Sequence, residues 1–300
     1  MRTEHVLCLG RHGFHRVNYY DWGDRTNPHV VICVHGLTRN ARDFDFLAQV
    51  LASDCRVVCP DVVGRGKSDW LKHARDYEYP LYIADMTTLI ARVTGVRKSL
   101  KRWLARIFGR QTKPVIDWVG TSMGGLIGMM LAAQANSPIR RLVLNDVGPL
   151  VPAASLRRIG QYVGKDPRFA SLEEVESYIR KYSAPFGPLT DSQWRHLALH
   201  SAKQYADGTW GFVYDPAIGE PFRSGLISDV SLWEVYDKVS CPTLVLRGAD
   251  SDLLLAQTGQ EMTVRGPRAK FVEFLGVGHA PMLMAEDQIK TVKDFLMARE

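Results

Sequence analysis

Residues 115–136, VIDWVGTSMGGLIGMMLAAQAN, constrain the fold more than any other stretch of the chain. A β-branched run over 115–119 stops at Gly120, and a longer run rich in Ala, Leu and Met follows. The short glycine-bounded run reads as a buried strand and the longer one as a helix. At the junction stands Ser122, with Gly120 and Gly124 on either side. So sharp a strand-to-helix turn thrusts a serine hydroxyl out of the fold. The glycines are needed because strand and helix pass too close for a Cβ. The positive end of the helix also points at whatever reacts there. G-x-S-x-G is a weak pattern alone. In this context it makes Ser122 a candidate nucleophile and obliges the rest of the chain to supply a base and an acid.

The remaining pattern supplies a scaffold. Residues 5–9 and 15–20 read as two opening strands, an antiparallel ribbon at a sheet edge. HVVICV at 29–34 is a buried-strand pattern, followed by a helix over 41–53 with Asn40 placed to cap it. Strands are expected at 56–62, 141–147, 242–247 and 270–275, and helices at 81–95 and 285–298. Strands alternating with helices imply a mostly parallel sheet covered on both faces. Residues 149–238 differ: they are rich in Trp, Tyr, Phe and Pro, with little alternation. SLEEVESYIRKY at 171–182 has a serine before a helical run with early acids, a helix start. The expectation is an α/β core of residues 1–148 and 239–300, with a mainly helical lid of 149–238 over the sheet's carboxyl edge.

Composition narrows the class. A hydrophobic share of 46% and a charged share of 23% are ordinary for a soluble globular protein. No apolar stretch approaches bilayer length, and the N-terminus lacks the pattern of a secretory signal. Cys8, Cys33, Cys55, Cys59 and Cys241 are odd in number and lack metal spacing, which points to reduced thiols in the cytoplasm. The net charge of +6 is local: residues 97–113 hold seven cations and no acid, which leaves the rest at −1. Within that segment Leu100, Trp103, Leu104, Ile107 and Phe108 form one apolar helical stripe. It reads as an extra docked helix with a solvated basic face, or as one lying on an anionic membrane or another subunit. Nucleic-acid binding has no further support. No metal or cofactor is expected, since Gly64 to Gly66 lack the strand and helix context of a dinucleotide loop.

A serine hydroxyl needs a base, and the base needs a carboxylate to fix its tautomer. His279 lies in GVGHAP, a glycine-bounded loop directly after the last strand, and is the candidate base. Three aspartates compete as the acid. Asp252 is preferred over its neighbour Asp250, both in LVLRGADSDLL, and over Asp146, just after the strand at 141–147. For the oxyanion, the Met123 amide follows the nucleophile, and Leu37 in HGLTRN is the expected second donor. His35 reads as a loop residue, and Arg39 as a solvated charge or a contact for a substrate carboxylate.

These pieces run in one order: His35-Gly36, DVVGRGKS at 61–68, GTSMGG at 120–125, GADSDLL at 248–254 and Gly278-His279. The sequence resembles an α/β-hydrolase-fold enzyme of the lid-bearing esterase, lactonase and C–C hydrolase group, over nearly the whole chain outside the lid. The resemblance implies a Ser-His-Asp triad, makes the loop around Asp61 a structural turn and supports Asp252 as the acid. HGLTRN departs from relatives that carry a proline two residues after the glycine. Relatives with an aspartate nucleophile, the epoxide hydrolases and haloalkane dehalogenases, are excluded by Ser122.

The expected activity is hydrolysis of a small-molecule carboxylic ester with an apolar or aromatic part, through an acyl-enzyme. Two readings stand beside it. One is hydrolysis of a lactone or of a C–C bond in a β-diketone on the same triad; the other is a ligand receptor that retains the triad. The sequence carries no signal for the oligomeric state.

Overall fold

The computed structural model describes residues 1–95, 114–222 and 228–298. The basic segment at 97–113 lies outside the described residues.

Strand β3 (His29–Val34) sets the layering. Val30, Ile32 and Val34 pack into one apolar cluster, while Val31 and Cys33 pack into another on the opposite face. A strand buried on both sides needs a layer on each. Helices α2 (Tyr79–Thr94) and α3 (Met123–Ala132) cover the first face through Met86, Leu89, Ile127 and Met129. Helices α1 (Asp45–Leu51) and α9 (Glu286–Met297) cover the second through Leu47, Leu51, Val292 and Leu296.

The main sheet has eight strands in the order β1 (Arg2–Gly10), β2 (Gly13–Trp22), β4 (Arg56–Pro60), β3, β5 (Val115–Thr121), β6 (Ile139–Asn145), β11 (Thr243–Gly248) and β12 (Lys270–Phe274). The hairpin β1 and β2 is antiparallel and joins β4 antiparallel. From β4 onward every pairing is parallel, through β3, β5, β6, β11 and β12. Six parallel strands deliver their following loops to one edge, the carboxyl edge, where α/β sheets bind ligands.

Two local expectations shift. The opening ribbon is longer than its apolar residues suggested, because pairing continues to the turn at Gly10 and Gly13. The helix expected over 41–53 is a 3-10 turn, Ala41–Phe44, leading into α1. There the Asn40 side chain accepts from the Arg42 amide, and Asp61 Oδ1 takes the Ala41 amide at 2.9 Å, a tertiary bond that tightens the first turn.

Between β6 and β11 the chain leaves the sheet. This stretch holds α4 (Ala153–Gly160), α5 (Leu172–Tyr182), α6 (Asp191–Ser201) and α7 (Trp233–Tyr236). It also contains two small ribbons, β7 (Leu150–Val151) with β10 (Val230–Ser231) and β8 (Ala202–Gln204) with β9 (Trp210–Phe212). Ser171 caps α5 by accepting from the Glu174 amide, and Thr190 with Gln193 forms a reciprocal capping box on α6. Val175, Ile179, Trp194 and Leu197 from these helices pack with Met282 and Met284, which follow β12, so the excursion seats on the loop region beside the carboxyl edge. After β11 comes α8 (Ala256–Met262), which returns the chain to the last strand. Among the described residues, no helix is long and apolar enough to cross a membrane.

Candidate active site

The loops after β5, β6 and β12 bring three side chains together. Ser122 sits between β5 and α3 at φ 52°, ψ −116°. A non-glycine residue at positive φ is strained by about 1–3 kcal/mol and persists only where its surroundings hold it. Here the Ser122 amide donates to the Asn145 carbonyl at 3.0 Å, and its carbonyl accepts from the Gly125 and Leu126 amides. The flanking glycines are obligatory on steric grounds. A Cβ on Gly124 would lie 2.0 Å from the Val34 carbonyl oxygen, and one on Gly120 would lie 2.3 Å from that of Gly124.

His279 Nε2 lies 3.1 Å from Ser122 Oγ, and its Nδ1 lies 2.7 Å from Asp146 Oδ2. An ionised carboxylate only accepts, so Nδ1 carries the proton and the Nε2 lone pair faces the serine. Asn145 steadies the arrangement: its Nδ2 donates to Thr121 Oγ1 at 2.9 Å and to the Pro281 carbonyl at 2.8 Å, tying the histidine loop to β5 and β6.

The carboxylate beside His279 is therefore that of Asp146; the preference for Asp252 is corrected. Asp146 is fully buried and at φ 53°. Its Oδ1 accepts from the Gly248 amide at 2.9 Å, and its Oδ2 accepts from Ser251 Oγ at 2.5 Å as well as from the imidazole. Asp252 is half exposed and points to α4, where Arg158 grips it with Nε and Nη2 at 2.5 and 2.8 Å. Asp250 lines the cavity, its amide bound to the Val277 carbonyl at 2.9 Å. The turn after β11 is the physical reason. It aims Ser251 inward, where Oγ also accepts the Leu253 and Leu254 amides, and sends Asp252 out to Arg158.

The opposite wall is the loop after β3. His35 is fully buried, donates from Nδ1 to the Gly36 carbonyl at 2.7 Å and accepts the Val62 amide on Nε2 at 2.9 Å. Burial pushes its pKa down to about 3, with the Arg65 and Arg39 charges adding and the Gly36 hydrogen bond opposing, so the ring is neutral. The Gly36 carbonyl also accepts the Arg39 amide at 3.1 Å. In a planar trans peptide the N–H points opposite to the C=O. With the Gly36 carbonyl turned to His35, the Leu37 N–H faces the other way. Leu37 itself lines the cavity, and a Cβ on Gly36 would be 3.7 Å from Ser122 Cβ. Met123 opens α3 directly after Ser122, where its amide is among those with no partner inside the helix. Arg39 lines the cavity with its guanidinium paired to Asp43 at 2.6 and 2.8 Å, not solvated. Sequence reasoning missed Ser251 and Asn145, and left the contacts of His35 unread. A serine between two aspartates and an asparagine ending an apolar strand were the available signals.

These groups face a cavity of about 330 Å³. Its floor is Gly36, Leu37, Thr121, Ser122 and His279, and its upper walls are Tyr162, Tyr178, Phe186 and Phe212 of the excursion. Away from it, two clusters among the described residues have donor atoms within 4.8 Å of one another: Cys8, His15 and Asp85, and Asp45, His196 and His200. In both the carboxylate is already engaged, by His15 at 2.9 Å and by Arg42 at 2.5 Å.

A parallel sheet that presents a serine on a strained strand-to-helix turn, a histidine after the last strand and a buried aspartate defines an α/β hydrolase. The chain belongs to the alpha/beta hydrolase family, whose model matches residues 31–291, and it is a hydrolase. It is 45% identical over 302 residues to a 3-hydroxybutyrate-oligomer hydrolase of Cupriavidus necator, covering 98% of this chain and 97% of that one. Among solved structures it resembles an alpha/beta hydrolase from Novosphingobium aromaticivorans, with 35% identity, 98% of each chain covered and a TM-score of 0.81. A Rickettsia typhi protein superposes over 100% of both chains with 30% identity and a TM-score of 0.88.

Proposed function

We propose that the protein hydrolyses carboxylic esters through an acyl-enzyme, with short oligomers of 3-hydroxybutyrate as its substrate class. One observation carries this: the Asp146–His279–Ser122 hydrogen-bonded relay faces an apolar-walled cavity, in a chain similar end to end to a hydrolase of such oligomers.

Ser122 Oγ attacks the ester carbonyl while His279 Nε2 takes its proton. Asp146 holds the imidazole in the reactive tautomer and stabilises the imidazolium. The oxyanion is received by the Leu37 and Met123 amides. Collapse returns the proton to the leaving alcohol, and water repeats the sequence on the acyl-enzyme. In this reading residues 149–238 act as a cap and residues 1–148 and 239–300 as the catalytic core. A cavity of about 330 Å³ is at the small end for ligand sites, which suits a short oligomer better than a long polymer chain.

The test is a panel of 3-hydroxybutyrate dimer and trimer, p-nitrophenyl butyrate, a lactone and a vinylogous diketone, with Ser122→Ala as control. Turnover of the oligomers, reduced about 10⁴-fold or more in Ser122→Ala, is the expected result. Turnover of the diketone or lactone alone would overturn the substrate assignment. Labelling of Ser122 by a fluorophosphonate without multiple turnover of any substrate would make the protein a receptor.

A further inference from the structure

Arg65 lies in the loop after β4, and its side chain is fully buried. Nε donates to the Leu37 carbonyl at 2.8 Å, and Nη1 donates to the Val63 carbonyl at 2.7 Å and the Tyr82 hydroxyl at 3.1 Å. Nη2 rests 3.7 Å from Met123 Sδ. The rings of Tyr77 and Tyr82 flank the guanidinium, with centroids 5.7 and 5.2 Å from Cζ. Every one of these partners is neutral, and among the described residues no carboxylate pairs with Arg65. Of the other buried arginines, Arg56 and Arg247 each face a carboxylate, Asp21 and Glu273, whereas Arg141 donates to the Leu296 and Ala298 carbonyls at the end of the last helix, far from the cavity. A buried, unpaired cation is costly, and a neutral donor would satisfy the same carbonyls.

The charge is placed where it has a use. Arg65 touches both residues whose amides face the candidate oxyanion position, Leu37 through its carbonyl and Met123 through its sulfur. We infer that Arg65 is a positioning residue of the oxyanion site, clamping the Leu37 peptide and setting behind the two amides a positive charge that no carboxylate touches, the Asp215 carboxylate being held one residue away on the Tyr77 hydroxyl. The inference rests on the acyl-enzyme reading above. As the Ser122 Oγ–carbon bond forms, the serine proton passes to His279 Nε2 and the carbonyl π pair moves onto oxygen. The substrate carbonyl is neutral before this step and anionic after it. A fixed cation in a low-dielectric wall therefore favours the transition state over the bound ester. The clamp acts alongside it. With the Gly36 carbonyl held by His35 and the Leu37 carbonyl held by Arg65, the two peptide planes that flank the Leu37 Cα are fixed before substrate arrives.

The test compares Arg65→Lys and Arg65→Met with wild type, after thermal melting shows each to be folded. Three quantities are read: kcat and KM for p-nitrophenyl butyrate, and the inhibition constant of an aliphatic trifluoromethyl ketone, which forms a tetrahedral adduct with a nucleophilic serine. Arg65→Met is expected to lower kcat and weaken the ketone about 10- to 100-fold, with KM within about threefold of wild type. Arg65→Lys keeps the charge and loses the fork, and falls between the two. Wild-type kcat and ketone affinity in both variants overturn the inference. So does a parallel loss of KM, kcat and ketone affinity, the signature of a merely structural staple. If the methionine protein does not fold, the lysine protein decides: ketone binding weakened about three- to tenfold at unchanged KM supports the inference, and unweakened binding overturns it. Ser122→Ala separates the two levels. Its full activity would remove the acyl-enzyme reading and the inference with it, whereas a wild-type ketone adduct untouched by either Arg65 change removes the inference alone.

Discussion

Two acidic turns stand side by side at the carboxyl edge, and only one of them touches the histidine. The turn after β6 buries Asp146 completely, at positive φ, with three donors on its carboxylate. The turn after β11 offers two aspartates in three residues. It spends Asp252 on a half-exposed pair with Arg158 and sends the intervening serine inward. A carboxylate that orients an imidazole has to be fixed and kept from water, because a mobile, solvated one competes poorly for a single N–H. The difference lies in what each turn holds in place. The first holds the carboxylate that meets His279, and the second holds the hydroxyl that steadies that carboxylate.

The sharpest way to break this contrast is to neutralise each carboxylate in turn. Asp146→Asn is expected to lower kcat about 10⁴-fold with the fold retained, by leaving the imidazole in the wrong tautomer. Asp252→Asn is expected to stay within about threefold, since an exposed ion pair contributes little; steady-state kinetics on p-nitrophenyl butyrate reads both. If the two losses were reversed, the assignment of the acid would be wrong. Ser251→Ala should lie between them, at about tenfold in kcat, the worth of one hydrogen bond to a charged group. The smallest effect is on stability. His35 has its folded pKa depressed to about 3 against an unfolded value near 6.5, so between those pH values the folded chain binds fewer protons. Its contribution is complete above about pH 6.5 and is lost as pH falls toward 3. Urea unfolding at pH 7.5 and pH 5 should therefore show a smaller acid-induced loss in His35→Asn than in wild type.

Much of the scaffold was legible because its strands are apolar runs stopped by glycine or by a polar turn, as at 29–34 and 115–119. The serine and the histidine were legible for a related reason, since each follows directly on such a run. The acid was not. Asp146, Asp250 and Asp252 all follow parallel strands, and linear order carries no information on which way a turn aims a side chain. The backbone at Asp146 and the inward Ser251 decide that, and both depend on contacts between distant loops. The ribbons β7/β10 and β8/β9 escaped notice because two or three residues are too few to show a period. Arg65 was hidden differently: it belongs to a loop that reads as a structural turn, and its contacts with Leu37 and Met123 come from elements distant in sequence.

The segment between α5 and α6 reaches the loop of His279 more directly than the cavity walls suggest. The Pro185 carbonyl accepts the Gly278 amide at 2.6 Å, one residue before His279. A peptide bond of the roof is thus bolted to the hinge of the imidazole. A shift of this segment therefore either breaks that hydrogen bond or carries Gly278 with it, and in both cases the loop of His279 feels the change. The placing of Pro185 and the placing of His279 are thus not independent: one peptide hydrogen bond makes them a single adjustment.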